Sequence, residues 1–176
     1  MTTRLLATML FLVTASPAWA AVNSGPKENE AVAALNVHTV VGESANATVD
    51  YAALRKEQPT VYVFVSAKEF DRPMFRFIKQ INEDSKGSAQ IVAVWLTDDA
   101  DASKEYLPKI SQYFEGAALT VFPEITGPEG WSINTDARVT VVVADKAKVV
   151  KSFGYQSVNE TDAAEVVDAL KKSAGK

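Results

Sequence analysis

The sequence predicts an α/β sandwich: a central mixed sheet flanked by helices, with a β-hairpin on its N-terminal side. Three observations predict it. Residues 61–65 (VYVFV) and 91–96 (IVAVWL) are almost continuously apolar and rich in β-branched and aromatic residues, as in strands buried on both faces. Between them Met74, Phe77, Ile78 and Ile81 fall at i, i+3, i+4 and i+7, the buried stripe of a helix. Residues 139–144 and 148–153 read as two strands joined at Asp145-Lys146-Ala147, an antiparallel pair at the edge of an otherwise parallel, right-handed arrangement.

Taken in order, the chain begins with an export pattern. Arg4 gives a positive start, residues 5–15 (LLATMLFLVTA) an apolar run, and residues 16–20 (SPAWA) a small-x-small cleavage site after Ala20. The run falls short of the roughly 20 apolar residues that span a bilayer. A cleaved signal peptide over 1–20 is therefore expected, with an exported periplasmic or extracellular protein and no membrane insertion after cleavage. Residues 21–34 begin polar and marked by Gly and Pro, and are expected to form a flexible leader. One domain then runs over 35–176, without repeat or linker.

Residues 35–41 (LNVHTVV) alternate like a half-buried strand. Gly42 to Asn46 supply a turn, and 47–49 the returning arm. Asp50 caps a short helical piece over 51–56, and Pro59 introduces the next strand. The helix after that strand is expected to stop near Gly87. Residues 97–101 (TDDAD) lead into a helix with Tyr106, Leu107, Ile110, Tyr113 and Phe114 on its apolar side. Pro108 should kink or split it, and Gly116 ends it. Residues 119–122 form a short strand, and 127–134 (GPEGWSIN) a turn around Trp131. Gly154 is expected to end the last hairpin. The final helix starts near Asn159, with Asp162 as a reciprocal cap. Ala163, Val166, Val167 and Leu170 form its buried face.

The composition bounds function by exclusion. The 176 residues are 47% hydrophobic and 23% charged, ordinary values for one folded domain. There is no cysteine. That rules out thiol catalysis, Cys-ligated zinc, iron–sulfur clusters, c-type haem attachment, a Cys-linked lipid anchor and any disulfide. Arg4 is the only charge in the first 20 residues, so the remainder is one unit more acidic than the −4 of the whole. Neither nucleic acid nor an anionic membrane finds a basic footprint. Lys171-Lys172 suit the end of the last helix.

Val41-Gly42, Thr48-Val49-Asp50-Tyr51, Leu54 and Pro59-Thr60 precede a strand, elbow and helix over 60–81, and residues 139–148 supply a facing strand. In this order, over 35–172, the chain resembles the thioredoxin-like fold, a three-layer sandwich. It is most similar to the redoxin and peroxiredoxin branch, which carries the N-terminal hairpin. The resemblance places that family's Cys-x-x-Cys pair at Phe70 and Pro73, its peroxidatic cysteine near Glu69, and its cis-proline at Val139, followed by Thr140. A cis bond before a non-proline residue costs about 2.5–4 kcal/mol, so a trans bond is expected there. What the resemblance implies is a fold without the family's thiol–disulfide or peroxidase activity.

Candidate chemistry centres on the elbow, residues 66–73. Asp71 can cap the helix and Pro73 is tolerated in its first turn. Alternatively a groove over the elbow binds a ligand, with Arg72 gripping an anion. Its candidate residues are Glu69, Phe70, Asp71, Arg72, Pro73, Val139 and Thr140. His38 is the only histidine, too few for a multi-histidine metal site, and reads as an ordinary strand residue. Asp98, Asp99 and Asp101 suggest either a hard cation or, in preference, a helix cap. Glu124, Glu129 and Trp131 lie in a long connection suited to binding, or to anchoring by Trp131. No phosphate loop is present, and Asn46-Ala47-Thr48 and Asn159-Glu160-Thr161 match glycosylation sequons. The leading expectation is a non-catalytic exported domain that binds a protein, peptide or small ligand, with no catalytic residue, cofactor or metal. The alternatives are an enzyme using carboxylates or a metal, and a structural component of the cell envelope.

Overall fold

The computed structural model describes residues 22–174. The expected signal peptide lies outside the described residues. The elements in chain order are β1 (Asn36–Val41), β2 (Thr48–Asp50), α1 (Tyr51–Leu54), β3 (Thr60–Ser66), α2 (Arg72–Asp84), β4 (Gln90–Leu96), α3 (Ala100–Ile110), β5 (Ala118–Phe122), β6 (Val139–Asp145), β7 (Lys148–Tyr155) and α4 (Ala163–Ala174). The strands make one seven-stranded sheet in the order β2-β1-β5-β4-β3-β6-β7. β3, β4 and β5 run parallel, and the hairpins at either end are antiparallel.

This order follows from the pattern. β3 and β4 are buried on both faces because they are central, so both lack alternation. Both connections, through α2 and α3, step the same way across the sheet. Right-handed crossovers therefore place them on one face, and α4 joins them there. That face holds the larger core: Val61, Val63 and Val65 with Phe77, Ile78, Ile81, Leu107, Val166 and Leu170. The opposite face is covered by α1 and two irregular segments. Tyr62, Phe64, Val92 and Val94 pack there against Leu35, Tyr51 and Trp131.

Trp131 does the work of a missing helix on that second face. It is fully buried, sits 4.9 Å from the Tyr62 ring and 4.8 Å from Phe64, and donates its indole N–H to the Ala34 carbonyl at 3.0 Å. It is thus an anchor for the connection from β5 to β6. Glu124 and Glu129 are exposed on the same connection.

Two expectations need correction. Residues 22–34 are not a loose leader. The Val22 amide donates to the Gly154 carbonyl at 3.1 Å. Asn29 donates to Val149, and Val149 in turn to Glu30. Ala31 forms a β-bridge with Lys148, and the Ser152 hydroxyl donates to the Pro26 carbonyl at 2.6 Å. The segment therefore seals the outer edge of β7, satisfying donors and acceptors that an edge strand leaves open. Gly154, in turn, does not end the hairpin, because β7 continues to Tyr155. A Cβ at Gly154 would lie 2.2 Å from the Val22 carbonyl oxygen, so glycine is what lets the N-terminal backbone approach. Pro108 leaves α3 intact until Ile110, and a 3-10 turn over Ser111–Tyr113 follows. No helix of the described residues is long and apolar enough to cross a membrane.

Candidate functional site

The elbow stands at the C-terminal end of β3, where the chain leaves the sheet for α2. A 3-10 turn over Ala67–Glu69 and extended Phe70 make the change of direction. Asp71 is the N-cap: its Oδ1 accepts the Met74 amide at 3.0 Å, satisfying one of the amides a helix start leaves open. Pro73 lies in the first turn, where its missing N–H costs nothing. Asp71 and Pro73 thus take the local geometry that capping predicts, while Phe70 and Glu69 line different clefts, Glu69 sharing its cleft with Thr140.

Arg138, missed in the sequence, holds this elbow in place. Its backbone joins the sheet at both sides, donating to the Tyr155 carbonyl at 2.9 Å and accepting the Ser66 amide at 3.2 Å. Its side chain then reaches across to the turn. Nη2 donates to the Glu69 carbonyl and, at 3.0 Å, to Asp71 Oδ2, while Nε lies 3.9 Å from Glu69 Oε1. Both Asp71 oxygens are therefore committed, one to the cap and one to the guanidinium. The only sequence signal was position: Arg138 immediately precedes Val139, which the resemblance set opposite the elbow. Arg72, by contrast, is exposed and makes no ion pair among the described residues.

The groove expected over Phe70, Arg72, Val139 and Thr140 is divided. Val139 pairs with Val65, turns toward the helical core and is 1% exposed. Thr140 points to the opposite face, where its hydroxyl shares a 2.6 Å hydrogen bond with Ser24. Successive strand residues face opposite ways, so one groove cannot take both side chains. The peptide bond before Val139 is trans, as are all those described. Thr140 instead lines a cleft of about 270 Å³ on the second face, with Phe64, Leu96, Ile125 and Ile133.

Phe70 lines a larger cleft of about 540 Å³ on the helical side, between the elbow and the start of α3. Its ring meets Trp95 edge-on at 5.2 Å and Tyr106 at 6.2 Å, arrangements that aromatic quadrupoles favour. Burial raises the Tyr106 phenol above its ordinary range. Lys68 and Asp98 close one side with a 2.6 Å ion pair, and the Lys68 hydrogen bond lowers the Asp98 carboxyl. Asp99 caps α3 by accepting the Ala102 amide at 3.0 Å, and Asp101 pairs with Lys104 at 3.1 Å. The three aspartates thus each hold a separate structural partner. Among the described residues no three His, Asp or Glu side chains are grouped to hold a metal ion. His38 is half-buried in β1, facing Thr48 and Val121 across the strands.

No family model matches the chain, and no curated protein matches it. Solved structures do. Peroxidoxin BcpB from Mycobacterium tuberculosis is similar over 83% of this chain and 97% of its own, with a TM-score of 0.61 at 16% identity. The mitochondrial 2-Cys peroxiredoxin of Plasmodium falciparum is similar over 85% and 98%, at 0.60 and 10% identity. The pneumococcal exposed lipoprotein thioredoxin from Streptococcus pneumoniae is similar over 80% and 99%, at 0.55 and 15% identity. At such identities the likeness establishes the fold alone. The fold is thioredoxin-like. The sequence contains no cysteine.

Proposed function

We propose that this chain is an exported, non-catalytic thioredoxin-like domain that binds a protein, peptide or small ligand through the cleft beside its elbow. One observation carries the reading: where the redoxin arrangement would place a reactive thiol, Phe70 forms an aromatic wall with Trp95 and Tyr106 around about 540 Å³. A cleft of that size and lining suits an apolar or aromatic group. The carboxylates at the elbow speak against the enzyme alternative, because Asp71 is fully committed and Glu69 lies beside Arg138. Export is supported by the pattern of residues 1–20 and by the likeness to an exposed lipoprotein thioredoxin.

The test follows the Trp95 indole resonance by NMR while apolar and aromatic peptides are added. Saturable shifts that Phe70→Ala and Tyr106→Ala each weaken are expected. Binding that ignores both substitutions removes the cleft from the proposal. Disulfide reductase or peroxidase turnover by pure protein overturns the non-catalytic reading.

A further inference from the structure

A third cleft, of about 440 Å³, lies at the opposite end of the sheet, where β3 and β4 begin and α2 ends. Its chemistry differs from the elbow's. Arg55, Gln58, Asn82, Lys86, Gln90 and Glu115 line it beside Pro59, Ala89 and Ile91, so its walls mix polar and apolar groups and two of its charges are cationic. The Arg55 Nε is shielded from solvent and has no hydrogen-bond partner among the described residues. An unsatisfied N–H in a shielded place is uncommon in folded proteins, and it belongs to a residue that lines this cleft. Lys86 offers the second charge, and its only ion pair among the described residues is a loose one, 3.6 Å from the well-exposed Glu115.

The neutral side chains are also oriented. Gln90 Nε2 donates to the Gly116 carbonyl at 3.3 Å, and Asn82 Nδ2 to the Glu115 carbonyl at 3.1 Å. Those bonds commit one amide nitrogen of each and leave the amide oxygens as acceptors. Gly87 and Gly116 also line the cleft, and a Cβ at either would meet nothing within 4 Å.

We infer that this cleft is a binding site for a small carboxylate that also carries hydroxyl or amino donors. The carboxylate lies against Arg55 and Lys86, since a guanidinium presents adjacent N–H groups that match a carboxylate. The hydroxyl or amino groups donate to the Gln90 and Asn82 oxygens. Glu115 opposes this occupant, because it competes for Lys86 and repels an anion. The site is separate from the elbow cleft and does not depend on the reading given to that cleft.

The experiment records the Arg Nε–H and backbone spectra of ¹⁵N-labelled protein during titration with citrate and L-glutamate. Sodium chloride at matched ionic strength and inorganic phosphate run in parallel. A saturable shift of the Arg55 Nε–H with citrate or glutamate, larger than with chloride, is expected. Arg55→Gln and Lys86→Gln each weaken binding about tenfold or more, the scale of a lost hydrogen bond to a charged group. Glu115→Gln strengthens it severalfold, a gain of function that damage to the fold cannot mimic. Shifts no larger than those with chloride overturn the site. Phosphate binding as tightly as either carboxylate overturns the assignment of ligand class. Tighter binding in Lys86→Gln, or weaker in Glu115→Gln, overturns the placement of the anion.

Discussion

The two ends of the β3–β4 pair each carry an arginine, and the two are treated in opposite ways. At the elbow Arg138 is engaged, its Nη2 binding a backbone carbonyl and the cap carboxylate that starts α2. At the foot Arg55 keeps its Nε buried and without a partner among the described residues. At the elbow the Asp71 carboxylate and the Arg138 guanidinium are thus matched within the fold, while Arg72 beside them is exposed without an ion pair among the described residues. The lesson is that two arginines at the ends of one strand pair can stand in different chemical circumstances. A charge already matched within the fold stabilises it, whereas an unmatched one is free to recognise something else.

The largest effect that sharpens this contrast is alkaline. Burial pushes the Tyr62 phenol, near the foot, up to about 12, and burial together with the Glu165 hydrogen bond raises Tyr155, beside the elbow, well above its ordinary range. Both folded values are raised, so their contribution is complete below the unfolded value of 10.0 and is lost as pH rises above it. For Tyr62 alone the loss is on the order of 2 kcal/mol by pH 12. Urea unfolding from pH 9 to 12, with tyrosinate absorbance recorded in parallel, should show falling stability and an absorbance rise that coincides with unfolding. Two phenols that titrate freely in the folded protein would contradict it.

Arg138→Ala comes next. It strips a charge-assisted bond from Asp71 and the tie to Glu69, at a guanidinium that is partly exposed, so water offsets part of the loss. A loss of about 2 kcal/mol is expected in urea unfolding. Arg55→Met should reverse the pattern. Removing an unpaired donor from a shielded place leaves stability unchanged within about 0.5 kcal/mol, or raises it. If Arg55→Met destabilises as much as Arg138→Ala, the contrast between the two ends fails.

The smallest effect is at the rim of the elbow cleft. The Lys68 hydrogen bond lowers the Asp98 carboxyl, which is fully exposed. Its contribution is present above the unfolded value of 3.8 and is lost as pH falls through the lower folded value. Lys68→Met should return the Asp98 carboxyl to its ordinary range in a ¹³C NMR titration, with little change in stability. An unmoved Asp98 would show that the ion pair is not what lowers it.

How far the sequence could be read follows the range of the interactions. β3, α2 and β4 declare themselves through periodicity and composition within a few turns of chain. The Asp71, Asp99 and Asn159 caps are local too, and Asn159 with Asp162 forms the expected reciprocal pair. Arg138 was illegible because its partners are 67 and 69 residues away. Val139 and Thr140 enter one groove only through the resemblance, which sets their strand opposite the elbow, and a strand's alternation sends the two side chains to opposite faces. Polarity, Gly and Pro mark residues 21–34 as a flexible leader. The order of residues 22–34 comes from backbone bonds to β7, which depend little on side-chain type and so leave no compositional trace.

The seal on β7 has a consequence for biogenesis. Pro26 and Ser152 are 126 residues apart, so the covering segment leaves the ribosome long before the strand it covers. When β7 forms, its cover is already present on the same chain, at the high effective concentration of a tethered partner. A strand from a neighbouring molecule must compete with that tether. For a protein that carries no disulfide to fasten it, the first described part of the chain covers the edge of the last strand.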